Sequence, residues 1–423
     1  MKKLLFFLFL PVLMFAQSEF NKYFLDKTLR FDYIHAGSKT EDFYYFNSLI
    51  EEPFWGGPVK NLIDPFNFGK YKAEVFDKES GKLIYSKHYS TLFSEWQTTN
   101  EALLYSKSFE ESVTMPFPKK TVTLTISSRQ KDQSFVKKFT VDINPEDYFI
   151  KKDRDKVYPN FKVVNGGDPS EKVDIVLIPE GYTEKEMDQF KKDCNRFAQY
   201  LFNSSPYKEN KSSFNIWGIE APSRHSGTDI PAEKIYVNTQ AGTSFYTFNE
   251  ERYLMTEEYK AVRDLAANAP YDQIYILVNS DKYGGGAIYN YYATCVNFNI
   301  HSEYVFVHEF GHAFAFLADE YYTSSTAYND FYPKQYEPLE PNITTLVDFE
   351  SKWKDLIKED TPIPTPATKE FEKRLGVFEG GGYVEKGVYR PKQDCSMKSI
   401  SVDDYCTVCK RAIQRMIDYY TGK

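Results

Sequence analysis

Two histidines four residues apart enclose a glutamate and a glycine in the run His308-Glu309-Phe310-Gly311-His312. On a helix, positions i and i+4 lie one turn apart on the same face, so both imidazoles can reach one Zn²⁺ at about 2.0–2.1 Å. Glu309 then stands beside the metal's open position rather than on it. From there its carboxylate can take a proton from a zinc-bound water and later pass it to a leaving amine. The metal would polarise the scissile carbonyl and lower the water's pKa toward about 7. The flanking runs Tyr304-Val305-Phe306-Val307 and Ala313-Phe314-Ala315-Phe316-Leu317 are apolar, so the helix is expected to be central and buried. The bland alternative is a buried helix with two merely packed histidines, but polar groups in so apolar a setting need satisfying partners.

A third protein ligand has to come from elsewhere. Asp319 and Glu320 follow His312 by seven and eight residues. On a continuing helix Asp319 would share the histidine face but lie about 10 Å farther along the axis. It can ligate only if the helix ends near Leu317-Ala318 and the chain turns back. Asp319 is the expected ligand under that condition. Glu320 is the alternative, with Asp319 then orienting a histidine. Acids at a helix C-terminus are electrostatically unfavourable, which argues that the pair has a role.

These side chains need a scaffold. Residues 20–150 read as short alternating strands, for instance Tyr71 to Phe76, Leu83 to Tyr85, Thr121 to Ile126 and Phe135 to Val141, separated by polar turns. That pattern predicts an antiparallel β-sandwich. His35 and His88 within it have no ligand spacing. After the charged stretch Lys151 to Lys156 the pattern changes. Val173 to Ile178 is a buried-strand run, Thr183 and Glu186 form a capping box before a helix reaching about Phe202, Tyr271 to Val278 is a second strand, and Ala287 to Phe298 holds a third. A helix over 304–318 follows, and alternating strands and helices predict an α/β domain. Residues 323–375 are Pro-rich and irregular, a length that is usually functional or mobile. The last 20 residues return to helix, with Ala412, Ile413, Met416, Ile417 and Tyr420 at helical spacing.

Composition bounds the function class. At 423 residues two domains are expected. A hydrophobic share of 42% with 26% charged residues is that of a globular protein. The net charge of −8 offers no basic stripe, which excludes nucleic acid as the expected partner. Lys2 and Lys3 ahead of the apolar Leu4 to Phe15, with Ala16 before Gln17-Ser18-Glu19, form a signal-peptide pattern. No later run approaches the ~18 apolar residues of a span, so no transmembrane span is expected in the mature chain.

The run at 308–312 followed by Leu317-Ala318-Asp319-Glu320-Tyr321 resembles the IgA-peptidase-like family of bacterial zinc metallopeptidases. So do Ile178-Pro179-Glu180-Gly181-Tyr182-Thr183, Gly381-Gly382-Tyr383, Gly387-Val388-Tyr389-Arg390-Pro391, Cys395-Ser396-Met397 and Tyr405-Cys406-Thr407-Val408-Cys409. The likeness covers about residues 165–420 and implies peptide-bond hydrolysis with a metzincin-like layout, in which Met397 is the candidate for a methionine turn under the metal. The chain departs from the usual metzincin spacing: Ala318 stands ten residues after His308, and Ala315 replaces the expected glycine. Tyr389 is a candidate donor to the tetrahedral oxyanion. Gly284 to Ala287, followed by Ile288 to Tyr292, is a candidate strand edge for an extended peptide. Cys395, Cys406 and Cys409 could hold a second zinc, but in an exported protein a disulfide among them is the expected outcome.

The resulting expectation is an α+β multidomain protein: a signal peptide at 1–16, a β-sandwich-like N-terminal domain at 17–155 and a zincin-like α/β metallopeptidase domain at 156–423. It would be secreted, or periplasmic or cell-surface, and hydrolyse protein or peptide through Zn²⁺ held by His308, His312 and Asp319, with Glu309 as general base and Tyr389 assisting. Two other classes compete: an exported β-rich surface-binding protein with a vestigial zinc site, and a zinc hydrolase of non-peptide substrates. The presence of Glu309 speaks against the vestigial site, which has no need of a general base. The oligomeric state is left open.

Overall fold

The computed structural model describes residues 19–322, 332–402 and 404–423. The expected signal peptide and residues 323–331 of the irregular stretch lie outside the described residues. Among those described, no helix is long and apolar enough to cross a membrane.

The amino-terminal part is β-rich. Its strands are β1 (Phe24–Gly37), β2 (Asp42–Glu52), β3 (Tyr71–Asp77) and β4 (Leu83–Tyr89), then helix α1 (Leu92–Trp96), then β5 (Lys107–Pro118), β6 (Val122–Arg129) and β7 (Phe135–Ile143). They form two antiparallel sheets, ordered β2-β1-β5 and β4-β3-β6-β7. Strand β3 shows why: its residues alternate buried and half-buried over all seven positions, the period-2 signature of a sheet with one covered face. Phe31 and Tyr33 from the first sheet and Tyr71, Val75, Leu124 and Ile126 from the second share one core. His35 and His88 are buried in this part; His35 Nδ1 lies 3.0 Å from Glu111 Oε2, and neither histidine belongs to a metal-ligand cluster among the described residues.

The rest of the chain is built on a six-stranded sheet. Its elements are β8 (Asn160–Val164), β9 (Val173–Glu180), α2 (Met187–Asn203), β10 (Phe214–Ile219), α3 (Tyr259–Ala266), β11 (Gln273–Val278), β12 (Gly285–Ile288), β13 (Tyr292–Val296) and α4 (Ser302–Ala315). A hairpin of β14 (Phe378–Gly381) and β15 (Val384–Arg390) and the closing helix α5 (Thr407–Thr421) complete it. The order is β12-β13-β11-β9-β10-β8. The four inner strands run parallel, and β8 and β12 close the edges antiparallel. Parallel strands are covered on both faces, and β9 is buried at all eight positions. Val173, Ile175 and Leu177 feed the core shared with α2, α4 and α5, while Val176 and Ile178 feed the opposite core with α3. The segment from Ala287 to Phe298 is therefore a hairpin of two strands, β12 and β13, rather than one.

The capping box at Thr183 is present: its N–H donates to Glu186 Oε2 at 2.8 Å ahead of α2. A buried ion cluster joins the two halves. Arg30 on β1 donates to Glu52 at 3.0 Å and to Asp264 at 2.6 Å, and Tyr271 donates to Glu52 at 2.9 Å.

Candidate metal centre

Helix α4 carries the histidines, and its end decides the site. Phe316 adopts left-handed backbone (φ 53°, ψ 36°), a conformation that is an outlier for a bulky residue. Its N–H donates to His312 O, and the N–H of Leu317 donates to Gly311 O, both at 3.2 Å. The helix stops there and the chain reverses. The Phe316 ring is braced by Phe68 from the amino-terminal part and by Tyr289, with ring centroids 5.3 and 4.9 Å away.

The reversal returns Asp319 to the histidine face. Asp319 Oδ1 lies 3.0 Å from His308 Nε2 and 3.4 Å from His312 Nε2, and the two Nε2 atoms are 3.1 Å apart. The condition set by the helix length is met. Each imidazole turns its other nitrogen to a carbonyl: His308 Nδ1 faces Ser396 O at 3.0 Å and His312 Nδ1 faces Leu317 O. A carbonyl only accepts, so Nδ1 carries a proton in each ring and Nε2 is the nitrogen turned inward, the orientation metal ligation requires. Asp319 Oδ1 is buried without a hydrogen-bond partner, while Oδ2 accepts from Tyr383 Oη. With no cation between them, burial works against a charge on His312, yet Asp319 and Glu309 outweigh it and push its pKa up to about 9, so a metal entering the site displaces a proton from Nε2. The same histidines hold Asp319 well below the usual carboxylate range despite its burial.

Glu309 lies on the cleft side of the helix. Burial raises its pKa, opposed by His308 and His312. The cleft has a volume of about 780 Å³ and is lined by His308, Glu309, His312, Asp319 and Tyr383 together with the edge strand β12. Ser94, Glu95 and Thr98 on and after α1, with Arg129 at the end of β6 and Gln130, Lys131 and Gln133 beyond it, supply a wall from the amino-terminal half, and Tyr332, Pro333 and Tyr336 to Glu340 supply another. On β12, Gly285 exchanges backbone hydrogen bonds with Arg252 and Leu254 at 3.2 Å each. By strand alternation Ala287 presents its N–H and C=O in the same outward direction.

Sequence reasoning placed Tyr389 here, and the structure does not. Tyr389 sits on β15, its backbone paired with Thr344, and it is not among the residues lining the cleft. The tyrosine that reaches the site from this hairpin is Tyr383, six residues earlier, in the turn between β14 and β15. Its turn is fastened to the returning chain: Gly382 N–H donates to Asp319 O at 2.8 Å and Tyr383 N–H to Tyr321 O at 2.9 Å. Asn342 was also missed. It is fully buried and accepts from Ala318 N and donates to Ala318 O, both at 2.8 Å, holding the turn from inside. An asparagine in an irregular stretch carries no sequence signal for that task.

Met397 packs beneath α4. A Cβ on Gly311 would stand 3.1 Å from Met397 Sδ and 2.8 Å from Tyr405 Oη. Both residues are buried, so the glycine is required by close approach. Gly311→Val is expected to destabilise the protein by about 1–3 kcal/mol, the usual cost of overpacking. A thermal melt should show a lowered midpoint; an unchanged midpoint would refute the close packing.

Glu320 points away from the histidines. Its Oε1 accepts from Asn342 Nδ2 at 3.0 Å and from Cys409 Sγ at 3.3 Å. The expected disulfide is absent: all five cysteines are free and buried, and the sulfurs of Cys395 and Cys406 lie 3.9 and 3.6 Å from that of Cys409, against about 2.05 Å in a disulfide.

A family profile described as IgA Peptidase M64 matches residues 161–375 and 367–417. A second, described as Peptidase M64 N-terminus, matches residues 19–140. No curated protein matches the chain.

Proposed function

The chain belongs to the IgA Peptidase M64 family and is a metallopeptidase, and from that premise we propose that it is an exported zinc endopeptidase of zincin-like architecture. His308, His312 and Asp319 hold the metal, and Glu309 is the general base. The observation that carries this reading is the buried Asp319 Oδ1, aimed at 3.0 and 3.4 Å between two imidazole Nε2 atoms whose Nδ1 atoms are turned to carbonyls. Two nitrogens and one carboxylate oxygen are the donor set of an open catalytic zinc site.

Zinc bound there supplies a Lewis acid for the scissile carbonyl and acidifies water. The protein does the rest. The outward N–H and C=O of Ala287 pair with an extended substrate backbone, lying it along β12. Glu309 takes a proton at its carboxylate and delivers it to the leaving amine. Tyr383 fixes Asp319 through Oδ2, leaving Oδ1 for the metal. The methionine-turn reading of Met397 agrees with its place beneath Gly311.

The test is metal removal. Dialysis of the purified chain against a chelator should abolish cleavage of an unfolded protein mixture, and zinc added back should restore it. Cleavage that persists in metal-free protein would sink the proposal.

A further inference from the structure

Eleven residues after Cys395 comes Cys406, and three later Cys409. The fold brings these three thiols to Glu320, one residue beyond Asp319. All four ligand atoms lie within 4.8 Å of one another, and all four residues are buried. We propose that they form a second, structural zinc site.

The spacing fits. A tetrahedral zinc with Zn–S bonds near 2.3 Å has sulfur–sulfur edges of about 3.8 Å and sulfur–oxygen edges of about 3.5 Å. The observed separations are 3.9 Å for Cys395–Cys409, 3.6 Å for Cys406–Cys409 and 3.3 Å for Cys409 Sγ to Glu320 Oε1. A disulfide would leave one thiol over and a carboxylate buried beside it. Glu320 is 0% exposed, and while its Oε1 accepts from Asn342 and Cys409, its Oε2 has no hydrogen-bond partner, so the buried carboxylate is costly to charge unless a cation binds it. A cation satisfies all four groups together.

The surroundings suit bound thiolates. Cys406 is the residue from which α5 starts, and Cys409 lies in its first turn, where the helix dipole favours negative charge. The N–H of Cys406 donates to Cys395 Sγ at 3.2 Å. Three thiolates and one carboxylate carry the same charge as the four thiolates of a Cys₄ zinc site, and Arg390 stands close enough to Glu320 to act on its charge. Four buried protein ligands leave no open position, so the site is structural rather than catalytic. On loading, the thiols release their protons to solvent.

The two clusters are linked through the backbone. Ser396, between Cys395 and Met397, gives its carbonyl to His308 Nδ1–H, and Glu320 N–H donates to Met397 O at 2.8 Å. A metal at the cysteines therefore fixes the two segments that orient His308 and Asp319. The proposal rests on the cysteine cluster and stands whether or not the histidine site is catalytic.

The test uses the full chain, purified without reductant. Elemental analysis should find two zinc ions per wild-type chain, one in His312→Ala and one in Cys406→Ser. Should Cys406→Ser fail to fold, cobalt decides on folded protein: cobalt-loaded wild type and His312→Ala should both show a thiolate-to-metal charge-transfer band. A single zinc in wild type with none in His312→Ala, no such band, or a mass showing a disulfide among the three cysteines would overturn the second site.

Discussion

Glu309→Gln should lower peptide cleavage by roughly 10²–10⁴-fold, the range over which positioned general bases contribute, while the zinc content stays that of wild type. Glutamine keeps the shape of the side chain but cannot take a proton. The loss should fall on kcat, because substrate contacts along β12 and the cleft walls are untouched. Parallel measurement of kcat, KM and zinc content separates this from misfolding or metal loss. Equal turnover by the two proteins would remove Glu309 from the mechanism.

The second large effect concerns the returning chain. Asp319→Ala removes the carboxylate oxygen that faces both imidazoles at 3.0 and 3.4 Å. Zinc affinity at the histidine site should fall by more than the ~10–100-fold typical of losing an outer hydrogen-bond partner. Tyr383→Phe, which removes such a partner from Asp319 Oδ2, should stay within that range. Competition with a chromophoric chelator reads both values. If the Asp319 variant binds zinc as tightly as wild type, the third ligand lies elsewhere.

What could be read from the residues alone follows the range of the interactions. The two histidines and Glu309 are set by helical periodicity, a local property, and so are the capping box at Thr183 and the alternation in β3. Asp319 was legible only conditionally, because the helix had to stop at a residue with no stop signal. Phe316 takes the left-handed cap without being glycine, held by rings distant in sequence. Tyr389 is a candidate in the sequence and Tyr383 is not, because nothing local distinguishes a strand tyrosine facing away from a turn tyrosine facing in. The cysteine trio was visible, but its fourth member, Glu320, is 75 residues before Cys395 in sequence. The wall that α1 contributes to the cleft depends wholly on how the two halves pack.

Phe68 illustrates what that packing entails. A ring from the amino-terminal half presses on the one residue whose backbone strain turns α4 back toward the metal ligands. For anyone recombining such proteins, the two halves are not interchangeable modules. A chimera that keeps every ligand but changes the amino-terminal partner also changes the support under the helix stop, and with it the angle at which the carboxylate meets the histidines. The seam between the halves is, in this sense, part of the machinery that heredity must copy intact.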